Sequence, residues 1–488
     1  MIKKIFLSAI IVSLSLASSS LEKKLESLEA QIKELKKQSD SNQADLNEYI
    51  PIIEASETQS LLDKLDFLPE LEVRMDKMDY ELGEIEGENT KALYDGVEEQ
   101  RRDEFTKDFE PALAVKFKMN LDGNIDKYTK FHGRFIFTTS SQSNERLCIL
   151  SRDIKSVSAS SAFDVDRAYV DLTPNIGSDY AFTFSFGILP TTGGTPMNFA
   201  LNSERKSMFP ALVFDMNTYG LIGTQKLGNG NFLRLIAAKA YTLKAEFYPY
   251  QCNRENIDNA NIFGAYYESE FKLLDGKALL SFGINYLADF KAHPYLGPDV
   301  NSEDANRLGD IFTYGLGLDI RDLADDKLTI FAHTAMSHPE ANGAEDDYQL
   351  VDDNDDGVPD TNLTVSGLAG FSTADYAKGP MISDMGYSVY LGLKYDLNND
   401  FDFGLEYNRG SKYWFSTTQG AEDMYNKLAT RGDVLEVYGT YNFHKYIYAK
   451  LGYMYTNEEY TGSGWHFGEP AKKDGTQKIS YLSIKAEF

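Results

Sequence analysis

From about Pro111 onward the chain alternates apolar with small or polar residues. Tyr180, Phe182, Phe184, Phe186 and Ile188 occupy alternate places, with Ala181, Thr183, Ser185 and Gly187 between them. A side-chain period of two belongs to a strand with one oily face. The same rows run through Val115, Phe117, Met119 and Leu121, through Phe312 to Ile320, and through Ile447 to Tyr455. About fifteen such segments can be counted on this criterion. The links between them alternate in length: short ones such as 122–127, 227–231 and 398–400 are followed by long ones such as 190–218, 337–384 and 411–431. That alternation is expected of an outer-membrane barrel, with tight turns at one rim and long loops at the other. An even strand number is expected too, so a sixteenth strand should lie ahead of the first clear one, within Tyr94 to Lys107. The fold expected is an all-β transmembrane barrel of about 16 antiparallel strands over residues 111–488. The last strand, with Leu482, Ile484, Ala486 and Phe488 in alternation, resembles the closing strand of such barrels.

The period differs before residue 111. Leu21, Leu25, Leu28, Ile32 and Leu35 are spaced by four and three among charged residues, and Leu71, Met75, Met78, Leu82 and Ile85 repeat that spacing. Both runs predict heptad seams, so residues 21–110 are expected to form a periplasmic α-helical, coiled-coil segment. Two heptads are marginal alone. Self-association through the Leu21 to Leu35 seam, with a trimer favoured, would hold them; a charged spacer is the alternative. Residues 1–20 carry Lys3 and Lys4 before an apolar stretch that ends at Ser18, Ser19 and Ser20, the pattern of a signal peptide.

Composition narrows the function classes. Against 48 Lys and Arg stand 75 Asp and Glu, a net charge of −27, which excludes a binder of nucleic-acid phosphates. No apolar run is long enough for a membrane helix. The 31 Tyr and 30 Phe suit strands. Cys148 and Cys252 would meet an oxidising compartment, and the sequence leaves their pairing open.

Three runs, DRAYVDLTPN at Asp166 to Asn175, FGILPTTGGTPMNF at Phe186 to Phe199 and FPALVFDMNTYGL at Phe209 to Leu221, resemble a little-characterised porin-like family of Gram-negative bacteria. The resemblance implies an outer-membrane porin-type channel for passive diffusion of small hydrophilic solutes or ions, with lipid around the barrel and the N-terminal segment in the periplasm. It brings no substrate.

In such a channel inward side chains select what passes. Candidates for the lumen are Lys116, Lys118, Lys130, His132, Arg134, Arg167, Lys394 and Lys450, against Asp171, Glu268, Glu270, Asp319, Glu406 and Glu436. Both signs are present, so no ion preference follows, and many of these charges could simply pair across strands. The connector from Pro190 to Thr218, with Glu204, Arg205 and Lys206 in its middle and an apolar end at Phe209 to Phe214, is the candidate constriction; a solvated outward loop is its alternative. Asp352, Asn354, Asp356, Gly357, Val358 and Asp360 match an acidic calcium loop, although Leu363 stands where a bidentate Glu is expected. No histidine, serine or thiol constellation suggests catalysis. Two other functions fit an anchored barrel: surface adhesion through long loops exposing Trp414 and Trp465, or a sheath for an electron-transfer cytochrome.

Overall fold

The computed structural model describes residues 65–85, 105–141, 162–240, 255–256, 260–292, 307–341, 348–351, 361–364, 384–418, 423, 425–460, 463, 470 and 472–487. Sixteen of its strands close into one ring. The first eight are β1 Leu65–Ile85, β2 Phe105–Asn124, β3 Thr129–Ser140, β4 Ala162–Leu172, β5 Phe182–Leu189, β6 Thr218–Gly228, β7 Asn231–Ala240 and β8 Asn261–Leu273. The others are β9 Gly276–Ala292, β10 Arg307–Asp322, β11 Leu328–Ala341, β12 Gly386–Asp396, β13 Phe401–Gly410, β14 Gly432–His444, β15 Ile447–Tyr460 and β16 Lys472–Glu487. Each pairs antiparallel with its sequence neighbours. The ring shuts where β1 lies between β2 and β16: Met75 stands opposite Leu113 on one side and Leu482 on the other. Closure leaves no unpaired edge, so the backbone can be satisfied without water.

The missing sixteenth strand is β1, which lies at Leu65–Ile85 rather than in Tyr94 to Lys107. The second heptad-like seam is therefore strand, and the barrel begins at Leu65 instead of residue 111. A spacing of four is also even, so Leu71 and Met75 share the outer face of a strand. Asp76 pairs with Ala112 but Met78 with Phe109, an irregularity at which β2 holds one extra residue. Met78, an odd three residues beyond Met75, falls on the inner face with Asp76 and is wholly buried. Glu70, Glu72, Arg74 and Asp76 alternate with Pro69, Leu71, Val73 and Met75, which is the period-two signal the seam had masked. The Leu21 to Leu35 seam, the signal-peptide stretch, Cys148, Cys252 and Trp465 lie outside the described residues.

Short and long connectors alternate without exception, from the four-residue turn 125–128 to the long segment between β11 and β12. One of three two-residue connectors joins β6 to β7 through Asn229 and Gly230, whose φ angles are both positive, 50° and 75°. Asn-Gly suits that turn because its twist matches the flanking strands.

The two faces invert the arrangement of a water-soluble protein. Outward residues are large and apolar: Leu451 is 65% exposed, Phe263 52% and Ile484 48%. Inward, Ser281, Asn285, Thr313 and Ser388 are fully buried. Leaving the outer band in water would forfeit about 1.5–3 kcal/mol per large side chain, so the outer face requires an apolar surrounding such as lipid.

Candidate pore constriction

The connector between β5 and β6, residues 190–217, folds into the lumen. Its apolar end supplies the reason. Phe209, Ala211, Leu212, Val213, Phe214 and Met216 are each at most 2% exposed and pack against inward Ile236, Ile262, Tyr266, Leu287, Ile311 and Phe331. Phe209 meets Tyr266 edge-on at 4.6 Å between ring centres. Room for the segment comes from glycine: a Cβ on Gly315 would lie 2.7 Å from Val213 Cγ2. The base of the connector is tied by Gly193 N, which donates to Asp215 Oδ1 at 2.9 Å, and by Thr191 Oγ1, which donates to Met216 O at 2.5 Å. Its middle holds a single helical turn, α1 Met197–Ala200.

A second connector, 411–431 between β13 and β14, enters from the same rim. Trp414 is completely buried, with Nε1 donating to Leu428 O at 2.8 Å, and Arg431 Nε donates back to Trp414 O at 2.9 Å. The expectation that Trp414 is an exposed adhesive side chain is thus overturned, because its indole anchors an internal loop. Asp215 N donates to Thr417 O at 3.3 Å and Thr417 Oγ1 donates to Val213 O, so the two connectors are joined. Lys427 lies between Glu406 and Glu436, donating to both, the latter at 2.5 Å. Burial works against its ammonium, but the two carboxylates outweigh burial and hold its pKa well above the ordinary lysine value. Tyr390 and Tyr438 donate to Glu406 at 2.5 and 3.1 Å, and Tyr481 donates to Glu436 at 2.5 Å. Gly404 makes the Tyr438 contact possible: a Cβ there would sit 2.1 Å from that ring's Cζ.

These packings fill one side of the lumen. On the other side, toward the short-turn rim, a cavity open to solvent lies between the middle of the first connector and β1, β2, β15 and β16. Glu70, Glu72 and Arg74 face it from β1, Lys116 and Lys118 from β2, Tyr448 and Lys450 from β15, and Ser483 and Lys485 from β16, with Gly193, Ala200, Leu201 and Lys206 on the connector. The connector is moored here by polar bonds rather than apolar packing. Lys450 Nζ donates to Ala200 O at 2.6 Å and Tyr448 Oη to Leu201 O at 2.8 Å, while Lys206 Nζ donates to Glu70 Oε1 at 2.7 Å.

The sequence-predicted residues distribute unevenly over this geometry. Lys206 lines the cavity, whereas Arg205 turns to Glu268 on β8 and Glu204 is exposed. Arg167 donates to Thr192 O at 3.0 Å and so holds the start of the connector. Lys394 reaches Asn202 Oδ1 at 2.7 Å and Asp402 at 3.4 Å. Glu406 belongs to the Lys427 network. Arg134 is consumed by a two-pronged pair with Asp166, at 2.7 and 3.0 Å from Nε, and His132 stacks on Tyr169 at 4.7 Å with Nδ1 2.6 Å from Asp122. The calcium candidates Asp352, Asn354, Asp356, Val358 and Asp360 lie outside the described residues, between the paired segments Tyr348–Val351 and Thr361–Thr364.

A family model described as "Protein of unknown function (DUF3373)" matches residues 106–486. The chain belongs to the DUF3373 family. Comparison with curated proteins finds no match. Solved structures similar to this DUF3373 chain include OprB of Pseudomonas putida, at 10% identity over 89% of this chain and 97% of that one, TM-score 0.44. The outer membrane channel DcaP of Acinetobacter baumannii matches at 13% identity over 87% and 98%, TM-score 0.41. OmpT, an outer membrane protein of Vibrio cholerae, matches at 10% over 87% and 97%, TM-score 0.43.

Sequence reasoning about this DUF3373 chain missed Glu70 and Arg74, because β1 was assigned to a helix, and Lys485, because only the apolar row of β16 was considered. The inward register of β1 carried the available signal: four charged residues at alternate positions from Glu70 to Asp76.

Proposed function

We propose that this protein is a porin-type channel of the outer membrane, through which small hydrophilic solutes or ions diffuse passively. The observation that carries the reading is the connector 190–217. It is held to one wall by apolar packing and leaves a polar, charged cavity against the opposite wall. A loop that narrows a lumen without filling it is a means of size and charge selection in a channel. The apolar outer band and polar interior support insertion in lipid, and in a chain with a signal-peptide pattern the outer membrane is the membrane such barrels occupy. Planar-bilayer recording of the detergent-purified full chain tests this. Discrete open-channel steps are expected, and a silent bilayer with correctly folded protein would refute the reading.

Assembly as a homo-oligomer, a trimer through the Leu21 to Leu35 seam, is part of the proposal; mass measurement of the solubilised protein with and without residues 21–64 checks it. So is calcium at Asp352 to Asp360, whose ends the pairing of Val351 with Thr361 brings together. Isothermal titration with calcium should give weak binding that Asp356→Asn abolishes.

A further inference from the structure

Six cations, Arg74, Lys116, Lys118, Lys206, Lys450 and Lys485, line the cavity against two carboxylates, Glu70 and Glu72. Three more carboxylates pair with these cations without lining the cavity. Asp76 accepts from Arg74 at 2.7 Å, Glu436 is 3.7 Å from Lys450, and Glu487 is 2.6 Å from Lys485 and 3.1 Å from Lys206. Even with these counted, cations outnumber carboxylates six to five. Glu70 is shared by Lys206 at 2.7 Å, Lys485 at 3.6 Å and Lys118 at 4.0 Å, so one negative charge serves three ammonium groups. The Lys116 side chain, opposite Glu72 in the register of β1 and β2, forms no hydrogen bond or ion pair with any described residue. In a chain of net charge −27 this is a local reversal of sign, and a concave, low-dielectric wall concentrates the field of such a group on whatever enters.

We infer that this cavity is a binding station for small oxyanions, carboxylates or phosphates, and that the channel favours anions over cations. The inference rests on the channel reading above. Donor accounting supports an oxyanion. An ammonium group has three donors; Lys450 spends one on Ala200 O and Lys206 spends two on Glu70 and Glu487. Lys116 spends none on a described residue. The unspent N–H groups come from separate strands and from the connector, and converge on one volume. A multidentate oxyanion can take several of them at once on separate oxygens, where chloride offers a single centre, and charge-assisted bonds of this kind are the strong ones. Glu70 and Glu72 confine the positive field to part of the cavity, which would let an anion leave as well as enter.

The test uses the full chain in planar bilayers under a potassium chloride gradient. The reversal potential should have the sign of anion preference, and inorganic phosphate or succinate added on one side should block the chloride current. Block by phosphate alone, or by succinate alone, assigns the oxyanion class. Lys116→Gln should weaken the block by about tenfold or more, the loss of one charge-assisted hydrogen bond, and Glu72→Gln should strengthen it. Opposite responses of two side chains that face each other across β1 and β2 are not produced by a general loosening of the fold. Open channels with cation preference or none, or a block that ignores Lys116→Gln, overturn the inference while leaving the channel intact. If no channel opens, the channel reading fails, and calorimetric titration of the solubilised protein with phosphate and with succinate decides the site directly: heat that Lys116→Gln abolishes upholds it, and no heat from either refutes it.

Discussion

On the wall of β7, β8 and β10 the charges of Glu268 and Asp319 are in direct contact with partners. Glu268 lies between Arg205 of the connector and Arg234 Nη2 at 2.9 Å, and Asp319 accepts from Thr195 and faces His333 Nε2 at 2.8 Å. About eight strands away round the ring, at β15, β16, β1 and β2, one carboxylate is shared among three lysines and Lys116 is left over. Both walls are polar, inward-facing and built on the same alternation. The difference is that the first wall spends its charges on holding the connector, while the second keeps some in reserve facing open space. A matched buried charge is structural, and removing its partner is costly; an unmatched one at a cavity is available to a solute.

The comparison breaks most readily at Glu268. Glu268→Ala would leave Arg205 and Arg234 facing each other without a counter-charge, an expected loss of about 3–5 kcal/mol, measurable as a lowered urea midpoint of the detergent-solubilised barrel. Glu72→Ala on the opposite wall, made in parallel, should leave the midpoint nearly unchanged. Equal losses at the two sites would remove the distinction between the walls.

Next in size is the apolar attachment of the connector. Leu212→Ala deletes a fully buried side chain packed in the lumen and is expected to cost about 2–5 kcal/mol. It should also raise single-channel conductance, since polar bonds such as those of Lys206, Lys450 and Tyr448 would then hold the connector with less apolar packing against the far wall. A stability loss with unchanged conductance would show that the connector does not set the passage. Gly404→Ala is milder: the new methyl overlaps the Tyr438 ring and should cost about 1–3 kcal/mol, with Tyr438 displaced from Glu406 and the Lys427 network loosened.

How far these features were legible in the sequence depended on periodicity. The row from Tyr180 to Ile188 declares a strand because every second residue is large and apolar. Segment Leu65–Ile85 does not, because its inner face mixes charged Glu70, Glu72, Arg74 and Asp76 with apolar Met78, so that Leu71 and Met75 on one face and Met78 on the other reproduce a heptad spacing by coincidence. The fold of connector 190–217 could be foreseen from Phe209 to Phe214, six residues with no reason to sit in water. Connector 411–431 offered no such run: Trp414 and Phe415 stand among serines and threonines, and their burial goes with hydrogen bonds donated by Trp414 Nε1 to Leu428 O and by Phe415 N to Ser337 Oγ, partners that only the tertiary structure brings near. The cavity was half legible for the same reason. Lys116, Lys118, Lys206 and Lys450 alternate with apolar neighbours or stand in the constricting loop, but no local pattern says that Glu70 would be shared among three of the cations around them.

The smallest expected change in stability carries the most about function. Lys116 is half-buried and makes no bond to a described residue, so Lys116→Gln should move the urea midpoint by an amount equivalent to no more than about 0.5 kcal/mol. If its charge acts only through the field in the cavity, the same substitution should shift the reversal potential in a salt gradient toward zero, and the shift should shrink as ionic strength rises, because the Debye length falls from about 10 Å at 0.1 M to about 3 Å at 1 M. Lys277 supplies the contrast, since it pairs with Asp322 at 2.7 Å beside a turn on the short-turn rim. Lys277→Gln should be equally harmless to folding and leave the reversal potential where it was. A matching shift from both lysines would mean that the net charge of the barrel, and not the wall at β1 and β2, sets what the passage prefers.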